Sequence, residues 1–232
     1  MKILLLILLS FTCLAETMVD QWKAPIKDES SHKIFLYGGS LTAALILFRD
    51  QTVEKVQDHA QEHGLMSDDM SHFGDLMGQV VPNALYITSQ LLFHSNETKN
   101  TAYRRINVMA QATFYAGITT MILKRIVNQR RPNSENRHSF PSGHTTTAFA
   151  FASVVAMEHD WYWGVGAYSL ATVVGLSRIH DNAHFLHDVV MGATIGSAFG
   201  VAMSKLSKQK SNNYYALSPI KDGFILRRQM TF

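Results

Sequence analysis

Six apolar stretches organise this sequence, each long enough for a helix and none broken by a run of charge. They are Ile34–Phe48, Val80–Phe93, 106–127, Thr145–Met157, Trp161–Ser177 and Val189–Ser204. Strands are shorter and alternate, whereas Ile106, Met109, Ala110, Thr113, Phe114, Gly117 and Met121 recur at the three-to-four spacing of one helix face. The chain is therefore expected to be all-α, a helical bundle of about six core helices. The core domain is placed at 34–206, after a polar and mixed lead-in segment at 16–33. A surface helix is expected over 51–75 and a polar connection over 94–105. The tail at 207–232 carries Tyr214–Ser218 and Phe224–Arg228 on either side of Lys221-Asp222-Gly223, which predicts a small β-like hairpin.

Apolar residues make up 47% of the 232 and charged ones only 17%, which excludes a disordered chain and allows membrane contact. A net charge of +3 is too small to argue for a nucleic-acid partner, and no basic face with interleaved aromatics is visible. Lys2, the apolar run Ile3–Phe11 and the small residue Ala15 read as an export signal over 1–15. Its removal would take with it Cys13, the one cysteine, leaving no thiol chemistry. The longest uncharged stretches sit at the lower edge of bilayer-spanning length, and the mean hydropathy of −0.01 is low for a multi-span protein. If 34–48, 80–93 and 107–123 all crossed after an exported N-terminus, the loop 124–144 would face the cytoplasm. The reading adopted is an exported domain in the periplasm or cell envelope, resting on or partly in the membrane.

Three short clusters carry chemistry. Lys124 is followed seven residues on by Arg131-Pro132; on one helix the two cations would share a face about 10 Å apart along the axis. Pro141-Ser142-Gly143-His144 opens a helix, where free N–H groups and the helix dipole attract anions. There Ser142 is suited to cap the helix or to donate to a phosphate oxygen. Ser177-Arg178 precedes His184 and Asp188, whose spacing of four fits one helix face and lets a carboxylate select the imidazole tautomer. Three cations, two histidines and a donor-rich helix start suffice for phosphoryl transfer without a metal, since that reaction is catalysed chiefly by positioning and charge.

In this order the clusters Lys-x6-Arg-Pro, Pro-Ser-Gly-His and Ser-Arg-x5-His-x3-Asp resemble the phosphatidic acid phosphatase type 2 (PAP2) and vanadium haloperoxidase superfamily. The likeness in motifs spans Lys124 to Asp188. It implies a phosphatase for phosphomonoesters or diphosphates, most simply of a phosphorylated lipid, that uses no cofactor and no metal. His184 would be the nucleophile that forms a phosphohistidine, oriented by Asp188. His144 would protonate the leaving alcohol and then activate water. Lys124, Arg131, Arg178, Ser142 and Gly143 would bind the phosphate. His187 stands where the family more often has a small residue or proline.

Four rival readings remain at this level. One is a soluble exported acid phosphatase of the same superfamily, and another a vanadium-dependent haloperoxidase. The third is a metal hydrolase built on His180, Asp181, His184, His187 and Asp188, where histidines at i and i+4 suit zinc. A non-catalytic phosphate binder would keep the cations without needing the His–Asp pair.

Overall fold

The computed structural model describes residues 18–93, 98–211, 213–220 and 223–230. The proposed export signal lies outside them. Helix α1 runs through residues 18–27. It is followed by α2 (Glu29–Leu47), α3 (Val53–His63), α4 (Asp68–Gly78), α5 (Val81–Leu92), α6 (Lys99–Val127), α7 (Gly143–Glu158), α8 (Trp161–His180) and α9 (Leu186–Ser211). Strands β1 (Asn213–Ile220) and β2 (Gly223–Met230) pair antiparallel, Leu217 opposite Leu226. The expected bundle and hairpin are both present.

The helix ends follow local chemistry. Asp28 accepts from the Ser31 amide at 2.9 Å and starts α2, with Glu29 favourably placed in the positive first turn. The polar lead-in is thus mostly helical from residue 18 onward. The single surface helix expected over 51–75 is two, because Gly64 takes φ 71° and ends α3. The polar connection expected over 94–105 is helical from Lys99. Its charges are not solvated loop charges: Arg104 pairs with the buried Glu158 at 2.5 Å, and Arg105 donates to the Glu158 carbonyl at 2.7 Å. Helix α9 likewise runs on past 206, to Ser211.

Helices α7 and α9 form the closest pair. Gly192, Gly196 and Gly200 recur every four residues along α9. A Cβ at Gly196 would lie 2.3 Å from the Thr146 carbonyl oxygen, and one at Gly200 2.5 Å from Ser153 Cβ. Only glycine permits that backbone approach. Around this seam Val108, Met109 and Ala112 of α6, Val174 of α8, and Ile195 and Phe199 of α9 close the core.

The outer surface is unusually apolar, with Leu36, Tyr37, Leu47, Phe93, Ile126 and Trp161 exposed. Among the described residues, α6 and α9 are long and apolar enough to cross a membrane, and α2 with the bent segment after it makes a third if the 85° break is one span. At 12 residues α5 is too short to cross alone.

Candidate active site

The three motif segments meet at one end of the bundle, where α4, α6 and α8 finish and α7 begins. Helix α6 ends when Asn128 turns left-handed at φ 50°, so Arg131 lies beyond the helix and does not share a helical face with Lys124 as expected. The loop 128–142 brings it back. Arg131 N donates to the Asn136 carbonyl, Ser139 N to that of Gln129 and Ser142 N to that of Asp188, all at 2.9–3.0 Å. Lys124 steadies the same loop through the His138 and Ser139 carbonyls, at 2.6 and 3.2 Å.

Of the two uses open to Ser142, the geometry selects the cap. Its buried hydroxyl accepts from the Thr145 hydroxyl at 2.9 Å and from the Thr145 amide at 3.4 Å. The first-turn amides of Gly143 and His144 have no intrahelical acceptor, as at any helix start. A Cβ on Gly143 would project toward Lys124, 3.9 Å from its Cε.

His184 lies in the turn before α9, not on the helix with Asp188. Asp188 reaches back instead: its Oδ2 accepts from the Phe185 amide at 3.0 Å and from the Ser139 hydroxyl at 2.5 Å. The two donors anchor the carboxylate 3.5 Å from His184 Nδ1, an ion-pair distance longer than a hydrogen bond. Burial pushes the His184 imidazole down to about 4, and Asp188 only partly offsets that.

Arg178 is almost fully buried. Its guanidinium is held by Asp75, by Asp181 at 2.7 Å and by the Ser177 hydroxyl at 3.1–3.2 Å. Asp75 and Ser139 were not found by sequence reasoning, and both touch site residues. Asp75 also stands 3.4 Å from His144 Nε2. Its one local signal is the pair Gly74 and Gly78 that flanks it one turn apart on α4.

Lys124, Arg131, Gly143, His144 and His184 line a single pocket of about 730 Å³. Arg131 Nε is buried there with no protein acceptor, a donor suited to an anion. Apolar side chains line the same pocket: Val80 just before α5, Val81 and Ala84 in its first turn, and Met121 on α6.

The metal-hydrolase rival loses its ligands to other partners. His180 accepts from the Leu65 amide at 3.1 Å, Asp181 holds Ser71 and Arg178, and His187 stacks on Phe185 with its Nε2 against Gln129. Among the described residues no group of three His, Cys, Asp or Glu is placed to hold a metal ion.

Fold and site together define a helical-bundle protein with a cationic, two-histidine pocket whose charge suits a phosphate-like anion. The PAP2 superfamily model matches residues 105–211, somewhat under half of the chain, and over that stretch the chain is similar to the PAP2 superfamily. A lipid A 1-phosphatase of Porphyromonas gingivalis is 42% identical over 74 residues, which are 30% of this chain and 16% of that one. A lipid A 1-phosphatase of Rhizobium johnstonii is 25% identical over 190 residues, 69% of this chain and 76% of that one. The chain thus spans about a sixth of the first relative's length and three quarters of the second's. Among solved structures, LpxE of Aquifex aeolicus matches with a TM-score of 0.54 and 25% identity, over 69% of this chain and 94% of that one. The PAP2-type phosphatidylglycerolphosphate phosphatase of Bacillus subtilis matches at 0.54 and 18% identity, over 82% and 96%, a likeness of fold.

Proposed function

We propose that this protein is a membrane-embedded phosphoric ester hydrolase that removes a phosphate from a lipid, with lipid A 1-phosphate the first substrate to test. The observation that carries the reading is the mixed lining of the pocket. Lys124, Arg131, His144 and His184 share it with the apolar residues Val80, Val81, Ala84 and Met121. A phosphate with an acyl body would use both kinds of lining, whereas a small soluble ester would use only the charged one. The names of the similar proteins from Porphyromonas and Rhizobium support the lipid A choice.

In this reading His184 attacks phosphorus through Nε2, with Nδ1 turned to Asp188. A nitrogen–phosphorus bond forms as the phosphorus–oxygen bond breaks, and His144 passes a proton to the departing oxygen. Neutral His144 then takes a proton from water as that water attacks the phosphohistidine. Lys124, Arg131, Arg178 and the amides at the start of α7 stabilise the charge on the three equatorial oxygens. No metal enters the scheme. An export signal at 1–15 would carry the chain to the cell envelope.

The test is phosphate release by the purified protein from lipid A 1-phosphate, phosphatidic acid and soluble esters in detergent micelles, with and without EDTA. The expected result is release from lipid substrates at least tenfold faster per enzyme than from glycerol phosphate, about 1.4 kcal/mol of preference, and no loss with chelator. Preference for soluble esters would favour the exported acid phosphatase. Loss with EDTA restored by zinc would overturn the metal-free scheme.

A further inference from the structure

Helix α4 reaches the site through two glycines. A Cβ at Gly74 would lie 2.6 Å from the Ser177 hydroxyl, and one at Gly78 would lie 2.7 Å from His144 Cβ and 2.8 Å from His144 Cδ2. Both positions need glycine so that the α4 backbone can lie against α7 and α8. That approach delivers Asp75, one residue after Gly74, to the mouth of the pocket. Its carboxylate bonds Arg178 and stands 3.4 Å from His144 Nε2. The Cδ2–Nε2 edge of the His144 ring therefore faces α4, and Nδ1 lies on the opposite edge.

The charged groups facing His144 are Arg178 from α8, Asp75 from α4, Arg131 from the loop 128–142 and Lys124 from α6. Three are cations, which oppose a proton on the ring. Asp75 is the one anion among them. Burial and the three cations all disfavour a proton on the ring, and Asp75 is the group that favours one.

We propose that Asp75 is a positioning residue for His144. It accepts from Nε2–H and favours the charged ring, the form in which Nδ1–H is the donor to the leaving oxygen. The site then contains two His–Asp pairs of opposite polarity. In one, Asp188 takes Nδ1 and frees Nε2 of His184 to attack; in the other, Asp75 takes Nε2 and frees Nδ1 of His144 for proton transfer. Proton balance follows from this: Nδ1–H goes to the alkoxide as it leaves, and Nδ1 recovers a proton from the water that cleaves the phosphohistidine. Burial, followed by Arg178, lowers His144 below its ordinary value, and Asp75 is the group that raises it. The inference rests on the phosphatase reading for its chemistry, though not for the pairing itself.

The experiment compares Asp75→Asn with Asp181→Asn. Both remove a carboxylate from Arg178, but it is Asp75 that stands against His144, whereas Asp181 turns to Ser71. A poor leaving group such as an alkyl alcohol needs the proton, and 4-nitrophenolate does not. Asp75→Asn is expected to slow alkyl phosphate hydrolysis ~100-fold and 4-nitrophenyl phosphate by less than about tenfold. The alkaline limb of kcat should move to lower pH. Asp181→Asn should slow both esters equally and leave that limb in place. Equal losses on both esters in Asp75→Asn, with an unmoved limb, would overturn the proposal and reduce Asp75 to an anchor for Arg178. Asp75→Ser serves if the first variant does not fold. A titration of nitrogen-15 histidine resonances, with His144 assigned by its loss in His144→Gln, reads the pairing without turnover. If the wild type hydrolyses neither ester but His144 still titrates lower in Asp75→Asn, the phosphatase reading fails and the pairing stands. An unchanged His144 titration would sink the pairing.

Discussion

Nδ1 of His184 stands 3.5 Å from Oδ2 of Asp188, and the same carboxylate oxygen is anchored by the Ser139 hydroxyl and the Phe185 amide. The carboxylate is therefore held in place by the protein itself, and the imidazole needs to move only a few tenths of an ångström to bond it. Catalytic hydrogen bonds that are long in the empty enzyme commonly tighten in the substrate complex.

From this pair we expect His184→Ala to abolish turnover and to prevent phosphate transfer onto the protein, measured with a phosphorus-32 substrate and acid quench. Asp188→Asn should leave the ring unsupported in the wrong tautomer and slow turnover ~10³–10⁴-fold. His144→Ala should still label, since attack precedes its proton transfer when the leaving group is good. A His184→Ala protein that labels normally would exclude the nucleophile assignment.

The acid side of the pH profile is expected to be set by His184. With its imidazole pushed down to about 4 by burial, it stays neutral through the range where an ordinary histidine takes up a proton. Turnover should therefore persist below pH 6 and fall only as pH approaches 4. Stability follows the same sign. Between about pH 6.5 and 4 the unfolded chain binds a proton that the folded protein refuses, so this contribution is full above 6.5 and is lost as pH falls through the folded value. His184→Gln should flatten that decline in thermal midpoint; a decline identical to wild type would show that other groups cause it.

Orthovanadate should inhibit well below the Michaelis constant for a simple ester, because it adopts the five-coordinate geometry of the transferring phosphoryl group with a histidine nitrogen in one apical position. Arg178→Ala should weaken vanadate binding and slow turnover by a similar factor, since one guanidinium serves both. A simple anion binder would hold vanadate and phosphate about equally. Halide oxidation by the vanadate-loaded protein faster than any ester hydrolysis would move the chain to the haloperoxidase reading.

The α7–α9 seam supplies a stability prediction. A Cβ at Gly196 would meet the Thr146 carbonyl oxygen at 2.3 Å and the Ala150 nitrogen at 2.7 Å, both backbone atoms that cannot rotate away. Gly196→Ala should destabilise by about 1–3 kcal/mol. Because Asp188 lies in the first turn of α9 and His144 in the first turn of α7, activity should fall as well. Gly166→Ala is the control, since an added Cβ there meets nothing within 4 Å. Equal thermal midpoints for the two variants would contradict the packing.

Much of this was legible in one dimension. Apolar segments of helical period located the core helices, because burial of one face repeats along each segment regardless of its neighbours. The three motif clusters also carry their own local logic. Ser142 caps α7, and Asp188 reaches back to the start of α9, so residues close in sequence place His144 and orient Asp188. Where periodicity was misread, the cause was a tertiary partner: Arg104 and Arg105 read as a polar connection because Glu158, their buried acceptor, lies more than fifty residues away.

The sequence by itself determined that a phosphate-sized anion site could be built from Lys124, Arg131, His144, Arg178 and His184. Tertiary structure alone decided which neighbours each of them has. His180, Asp181 and His187 crowd His184 in sequence, yet they turn to Leu65, Ser71 and Gln129. Asp75 carries no motif, yet it meets Arg178 across 103 residues because Gly74 and Gly78 let α4 close on α7 and α8. Local propensity acts over a few residues, so it can specify a helix start or a cap. The partner of a charge is set by which helix backbones can approach, and that is a property of the packed bundle.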